Sequence, residues 1–149
     1  MSSFLLISIL LLFLFLSGFF SLSETAVLSS NRYRIRHLAS KGNKNAQKLA
    51  SWLDAPQKLL ATILLGNNFA NIGAATVAAA FVTYTFQEQH RDLYLAAETI
   101  ALTLVVLLFC ELGPKALATR TPERISLRLV VPIEVWMKAV YPIAQVAIR

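Results

Sequence analysis

Ser17, Ser21 and Glu24 recur at i, i+4 and i+7 inside an otherwise apolar run. At about 100° per residue they fall on one narrow helical stripe, so two hydroxyls and a carboxylate face one way and can serve one ligand. In a second apolar run, GNNFAN sets Asn67 and Asn71 on a common face that Ala74 and Ala78 continue, with Gly66 just before them and Asn68 alongside. An amide oxygen is a neutral hard ligand, and the amide NH2 can hold a neighbouring carboxylate in place. In a third run Glu111 precedes Gly113 and Pro114. Pro114 cannot donate to the carbonyl of Cys110 and its ring pushes that oxygen aside, while Gly113 permits unusual backbone angles. The expectation is a kink with carbonyl oxygens freed beside Glu111, as in the broken helices that build ion sites at membrane depth.

Each feature also has a purely structural reading. Serines in membrane helices bond back to the i−4 carbonyl, and asparagines join helices across a bundle. Glu111 and Lys115 form an i,i+4 pair, and Glu24, near the end of its run, reaches water or a basic loop residue. Three asparagines in five residues exceed what adhesion between helices needs. Hydroxyls, amide oxygens, a carboxylate and carbonyls together suit a hard cation such as Mg2+ or Na+. Zinc or copper would call for His or Cys, and His37 and His90 both lie outside the apolar runs. A site with one or two carboxylates also releases its ion, which transport requires.

The elements that position these groups follow from composition. The chain of 149 residues is 56% hydrophobic and 15% charged, with a mean hydropathy of +0.60, too apolar for a water-soluble domain. Its net charge of +6 comes from basic residues clustered beside the apolar runs, without the interleaved aromatics of a nucleic-acid groove. Cys110 is the single cysteine, so no internal disulfide forms and its expected role is packing.

Three runs, about 4–28, 59–85 and 93–119, are long enough to cross a core of about 30 Å. The first has no basic n-region and no small-residue cleavage site, which argues against a signal peptide. Between the first two, segment 31–57 carries Arg32, Arg34, Arg36, Lys41, Lys44 and Lys48 against the lone acid Asp54, which places it in the cytoplasm. Within it Ala46, Leu49, Ala50 and Leu53 have the spacing of a short amphipathic helix on the membrane surface, with a solvated basic loop as the alternative. The second span is rich in small residues and belongs at the centre of a bundle or a subunit interface. The loop Gln87–Asp92 lacks basic excess and reads as external, and Arg120, Arg124 and Arg128 follow the third span. The topology expected is N-terminus outside and C-terminus cytoplasmic, in the cell membrane. Residues 120–149 read as juxtamembrane helices. Within them 129–148, interrupted by Pro132, Glu134, Lys138 and Pro142, lies in the interface with Trp136 and Tyr141 at headgroup depth; a fourth span would put Arg149 outside. The fold class is an all-α membrane protein with three transmembrane helices plus amphipathic juxtamembrane helices.

SGFFSLSETA at 17–26, NRYRIRHLASKGN at 31–43, LLGNNFANI at 64–72 and ELGPKALA at 111–118 resemble the transmembrane domain of the CorC/CorB and CNNM magnesium transporters, and the likeness covers nearly the whole chain. The resemblance implies a homodimer that binds Mg2+ in a largely dehydrated state and exports it in exchange for Na+. It matches Ser17 and Ser21 to the first-helix serines, an Asn of the GNN motif to the second-helix ligand, and Glu111 to the acid before the family's Pro-Lys. Asn67, Asn68 and Asn71 all stand as candidates; Gly66, Cys110, Gly113 and Pro114 would supply the helix break and backbone oxygens, with Glu24 and Lys115 beside the ion. Leu22 departs from the Gly of many relatives. The family's paired CBS nucleotide-binding domains do not follow within 149 residues, so an isolated membrane domain is expected, with those cytosolic domains as partners if the chain comes from a longer protein. Two other classes remain: a membrane-anchored cation sensor or assembly module that binds without translocating, and an intramembrane hydrolase, which lacks a His or Lys partner for Ser17 or Ser21 at membrane depth.

Overall fold

The computed structural model describes residues 3–86 and 91–147, with side chains for all of these except 91 and 141–147. The expectations for the loop residues Gln87 and Glu88, for the Tyr141 ring and for Arg149 lie outside the described residues.

Leucine and phenylalanine without a proline or basic residue carry α1 (Ser3–Ser29) as one apolar rod. Asn31 then starts α2 (Arg32–Ser40) by accepting the backbone N–H groups of Tyr33 and Arg34 at 3.0 and 3.3 Å. Gly42, at φ +87°, turns the chain, and Asn43 caps α3 (Lys44–Asp54) by accepting from Ala46 N at 3.0 Å. Pro56 opens α4 (Pro56–Thr85) in the first turn, where its missing N–H costs nothing. The third rod is α5 (Arg91–Val105), a π-helical turn (Val106–Leu112) and α6 (Gly113–Ala118); α7 (Pro122–Ala147) completes the chain.

Ser3–Ser29, Pro56–Thr85 and Asp92–Ala118 are each long and apolar enough to cross a membrane, so the fold is the all-α, three-span architecture expected. Helix α7 is longer than the interfacial segment read from sequence and runs unbroken through Pro132. Pro132 and Arg128, whose carbonyl the proline leaves without its donor, both lie on the exposed side.

Segment 31–57 is not a loop, and it holds two helices rather than one. It is the α2–α3 pair, and its apolar face finds protein. Ile35, Ala46, Leu49 and Leu53 bury against Val27 of α1, Leu59 and Ile63 of α4, and Val130 and Ile133 of α7 in one core. Asn45 Nδ2 donates to the carbonyl of Leu127 at 3.1 Å, and Lys48 pairs with Glu134. Trp136, expected at headgroup depth, packs its ring 5.0 Å from that of Phe20 and donates from Nε1 to the Thr62 carbonyl at 3.0 Å.

Helices α1 and α4 pack antiparallel. A Cβ on Gly73 would stand 2.4 Å from Phe13 Cε1, and one on Gly66 would stand 2.5 Å from Phe20 Cζ. Two aromatic rings seven residues apart thus seat on two glycines seven residues apart. Along α4 the stripe Leu59, Ile63, Gly66, Asn67, Ala70, Ala74, Ala78 and Val82 is buried, the helical period of a face pressed on a neighbour. The third rod meets α1 where Gly18 faces Cys110 and Pro114, and stacks Tyr94 on Phe86 at 4.1 Å. Most of its surface is free of protein contact.

Candidate ion site

Between the two seated rings lies a polar layer. Ser17, 1% exposed, donates from Oγ to Asn71 Oδ1 at 2.6 Å, with Asn67 Oδ1 3.4 Å from the same Oγ. A hydroxyl has one proton to give, so three oxygens converge on a space holding a single hydrogen. That surplus of lone pairs gives the layer a cation-attracting character without a formal charge.

Ser21, one turn along the same stripe and fully buried, reaches the other neighbour: its Oγ lies 3.5 Å from the main-chain oxygen of Glu111. The α1 stripe therefore stands at the junction of all three spans, Ser17 turned to α4 and Ser21 to the π turn. The expected kink takes the form of that π turn. Gly113 N–H bonds back to Leu108 O rather than to an i−4 carbonyl, and a Cβ on Gly113 would sit 3.1 Å from that oxygen. Widening the helix absorbs the donor that Pro114 lacks. The carbonyl expected to be freed was that of Cys110; the one the α1 stripe reaches belongs to Glu111.

The Glu111 side chain pairs with Lys115 across 3.5 Å and is about a third exposed. It shares with Asn71 a cavity of about 230 Å3, walled by Ala75, Leu102, Thr103, Val106 and Leu107. Asn71 thus joins the serine layer to the carboxylate. Asn68 is exposed on another face of α4 and is not brought to the cluster, and Glu24 is half-buried one turn beyond Ser21. Gly66 is not a helix break: α4 runs straight through it, and its missing side chain makes room for Phe20.

Sequence reasoning missed the seated rings, although the seven-residue spacing of Phe13 and Phe20 against Gly66 and Gly73 was there to be read. It also missed Glu98, a second carboxylate inside the third span, whose Oε1 is buried with no hydrogen-bond partner among the described residues. Among the described residues no three His, Cys, Asp or Glu side chains come together, so the donors the site offers are hydroxyl, amide and carbonyl oxygens with one acid.

A family model described as the cyclin M transmembrane N-terminal domain matches residues 7–149. The chain is 38% identical over 125 residues to an inner membrane protein of Escherichia coli K12, UPF0053 protein YfjD, covering 82% of this chain and 28% of that protein. It is 42% identical over 118 residues to a UPF0053 protein of Haemophilus influenzae, covering 79% of this chain and 27% of the other. A polyamine export protein of Escherichia coli K12 is 27% identical over 136 residues, 85% of this chain and 30% of that protein. The chain thus spans less than a third of the length of these relatives.

Proposed function

The chain belongs to the cyclin M transmembrane family, and from that premise we propose that it carries Mg2+ across the cell membrane, exporting it in exchange for Na+. The observation that carries this reading is the oxygen layer of Ser17, Asn67 and Asn71, enclosed between Phe13 and Phe20 and joined through Asn71 to the cavity at Glu111. Mg2+ takes oxygen ligands in tight octahedral geometry and gives up water reluctantly. A cavity of about 230 Å3 has room for the ion with several waters, each about 30 Å3 in the liquid. Neutral oxygens then replace part of the hydration shell, and Glu111 supplies one negative charge, already shared with Lys115. One shared charge holds a divalent ion loosely enough to release it.

In this reading the N-terminus is outside and the C-terminus cytoplasmic, which puts the arginines of α2 and of the start of α7 on the inner surface. The working unit is a homodimer, with cytosolic CBS-pair domains as partners where the chain continues.

Liposome flux tests the reading. The parent protein should move Mg2+ above the rate of empty vesicles, and Ser21→Ala and Glu111→Ala should each reduce that flux; variants that bind and move Mg2+ as well as the parent would remove Ser21 and Glu111 from the site. Saturable Mg2+ binding without flux identifies the sensor or assembly module instead. Spermidine belongs in the same assay, since the same oxygens would receive ammonium groups and one relative bears the name of a polyamine exporter.

A further inference from the structure

We propose that Arg34, Arg120 and Arg124 bind the phosphate of an anionic phospholipid, one of whose acyl chains lies in the apolar groove between α1 and the third span. The three guanidinium side chains line one cavity of about 510 Å3, together with Thr121 and Glu123. Arg120 and Arg124 have no ion pair among the described residues. Arg34 pairs with Glu123 across 3.8 Å, but with three-quarters of its side chain exposed that pair is weak. Three cations against one anion leave the cavity net positive. Guanidinium groups match the paired oxygens of a phosphate, and the Thr121 hydroxyl adds a neutral donor.

Position argues for a lipid. Arg120 stands two residues after Ala118, the last residue of the third span, and Arg34 stands five residues after Ser29, where α1 ends. The cavity therefore opens where two spans leave the membrane. Leu38 and Leu127 give it apolar walls. A second cavity, of about 550 Å3 and lined by Phe15, Phe19, Phe109, Pro114, Leu117 and Leu129 among others, runs along α1 and the third span. Leu117, on the wall of this groove, lies one turn before Arg120, whose N–H bonds its carbonyl at 3.2 Å, so the groove and the basic cavity lie near the same end of the third span. An apolar groove with a cluster of arginines near its end suits the tail and headgroup of one negatively charged lipid.

The test uses the purified full chain in an uncharged detergent, titrated with dioleoyl phosphatidylglycerol, dioleoyl phosphatidylcholine or inorganic phosphate, with thermal unfolding and lipid retention in native mass spectrometry as readouts. Phosphatidylglycerol should raise the Tm and remain bound, and the other two should do so much less. Arg120→Gln/Arg124→Gln should weaken the phosphatidylglycerol response roughly 30-fold, from about fivefold per arginine near an anionic lipid. Arg32→Gln/Arg128→Gln, which removes the same charge from outside the cavity, should leave it unchanged. Equal responses to phosphatidylglycerol and phosphatidylcholine, or equal losses in the two double variants, would overturn the site. An inorganic phosphate response equal to that of the lipid would overturn the lipid as its ligand.

Discussion

The ring of Phe20 fills the space in which a side chain at Gly66 would begin, its Cζ 2.5 Å from where a Cβ would stand. Trp136 packs on the same ring from α7 and the side chain is buried, so the ring has little room to yield. Gly66→Ala should therefore destabilise the protein by about 1–3 kcal/mol, the usual cost of overpacking. Gly66→Ala/Phe20→Leu should recover part of the loss. Reversible unfolding in mixed micelles measures both, and an unaffected Gly66→Ala would mean that α1 and α4 are not packed in this register.

Asn71 and Asn68 separate the oxygen layer from its sequence neighbour. Asn71→Ala should abolish Mg2+-dependent thermal stabilisation, which for the parent reaches about 2.7 kcal/mol at an ion concentration of about 100 Kd. Asn68→Ala, altering an exposed side chain, should retain it. The comparison is a thermal shift series across Mg2+, Na+, Ca2+ and Mn2+.

Glu98 buries a carboxylate oxygen without a partner among the described residues. Replacing such a group with an apolar one of similar shape removes a desolvation cost of about 1–3 kcal/mol. Glu98→Met should raise the Tm; a fall would show that the carboxylate is engaged by a group or ion.

Glu134 joins α7 to α3. The hydrogen bond from Lys48, then that from Lys138, and the nearness of both ammonium charges hold its carboxyl below the usual carboxylate range, against a smaller opposing effect of burial. A depressed native value means that the tie is at full strength above the unfolded value of about 4.3 and is lost as pH falls through the lower native one. The Tm of the parent should drop more steeply with acidification across that window than that of Glu134→Gln, as followed by scanning calorimetry.

The spans were legible because length and hydropathy alone define them. The meeting of Ser17 and Asn71 was legible in part: i,i+4 spacing gave each helix a polar face but did not say which faces meet. The same spacing already set Asn68 off the face shared by Asn67 and Asn71. Gly66 read as a break because a glycine's role depends on what approaches it, and Phe20 comes from 46 residues away. The amphipathic pattern of α3 was visible, but Ala46, Leu49 and Leu53 do not reveal whether lipid or α7 covers them. The π turn escaped because Gly113 and Pro114 announce a disturbance without choosing its form. Glu98 was overlooked because its following neighbours one turn on, Ala101 and Leu102, offer no polar group, and the Tyr94 hydroxyl alone does not mark a stripe.

The two rings seated on two glycines also constrain how α1 travels. A slide of one helical turn along α4 carries Phe20 onto Thr62 or Ala70 and unseats Phe13 at the same time, so both rings meet Cβ atoms where they had none. A slide of a full heptad leaves one ring seated and drives the other out. The pair works as a two-toothed key that fixes the axial setting of α1 against α4, so a piston-like slide between them is the movement that this packing resists.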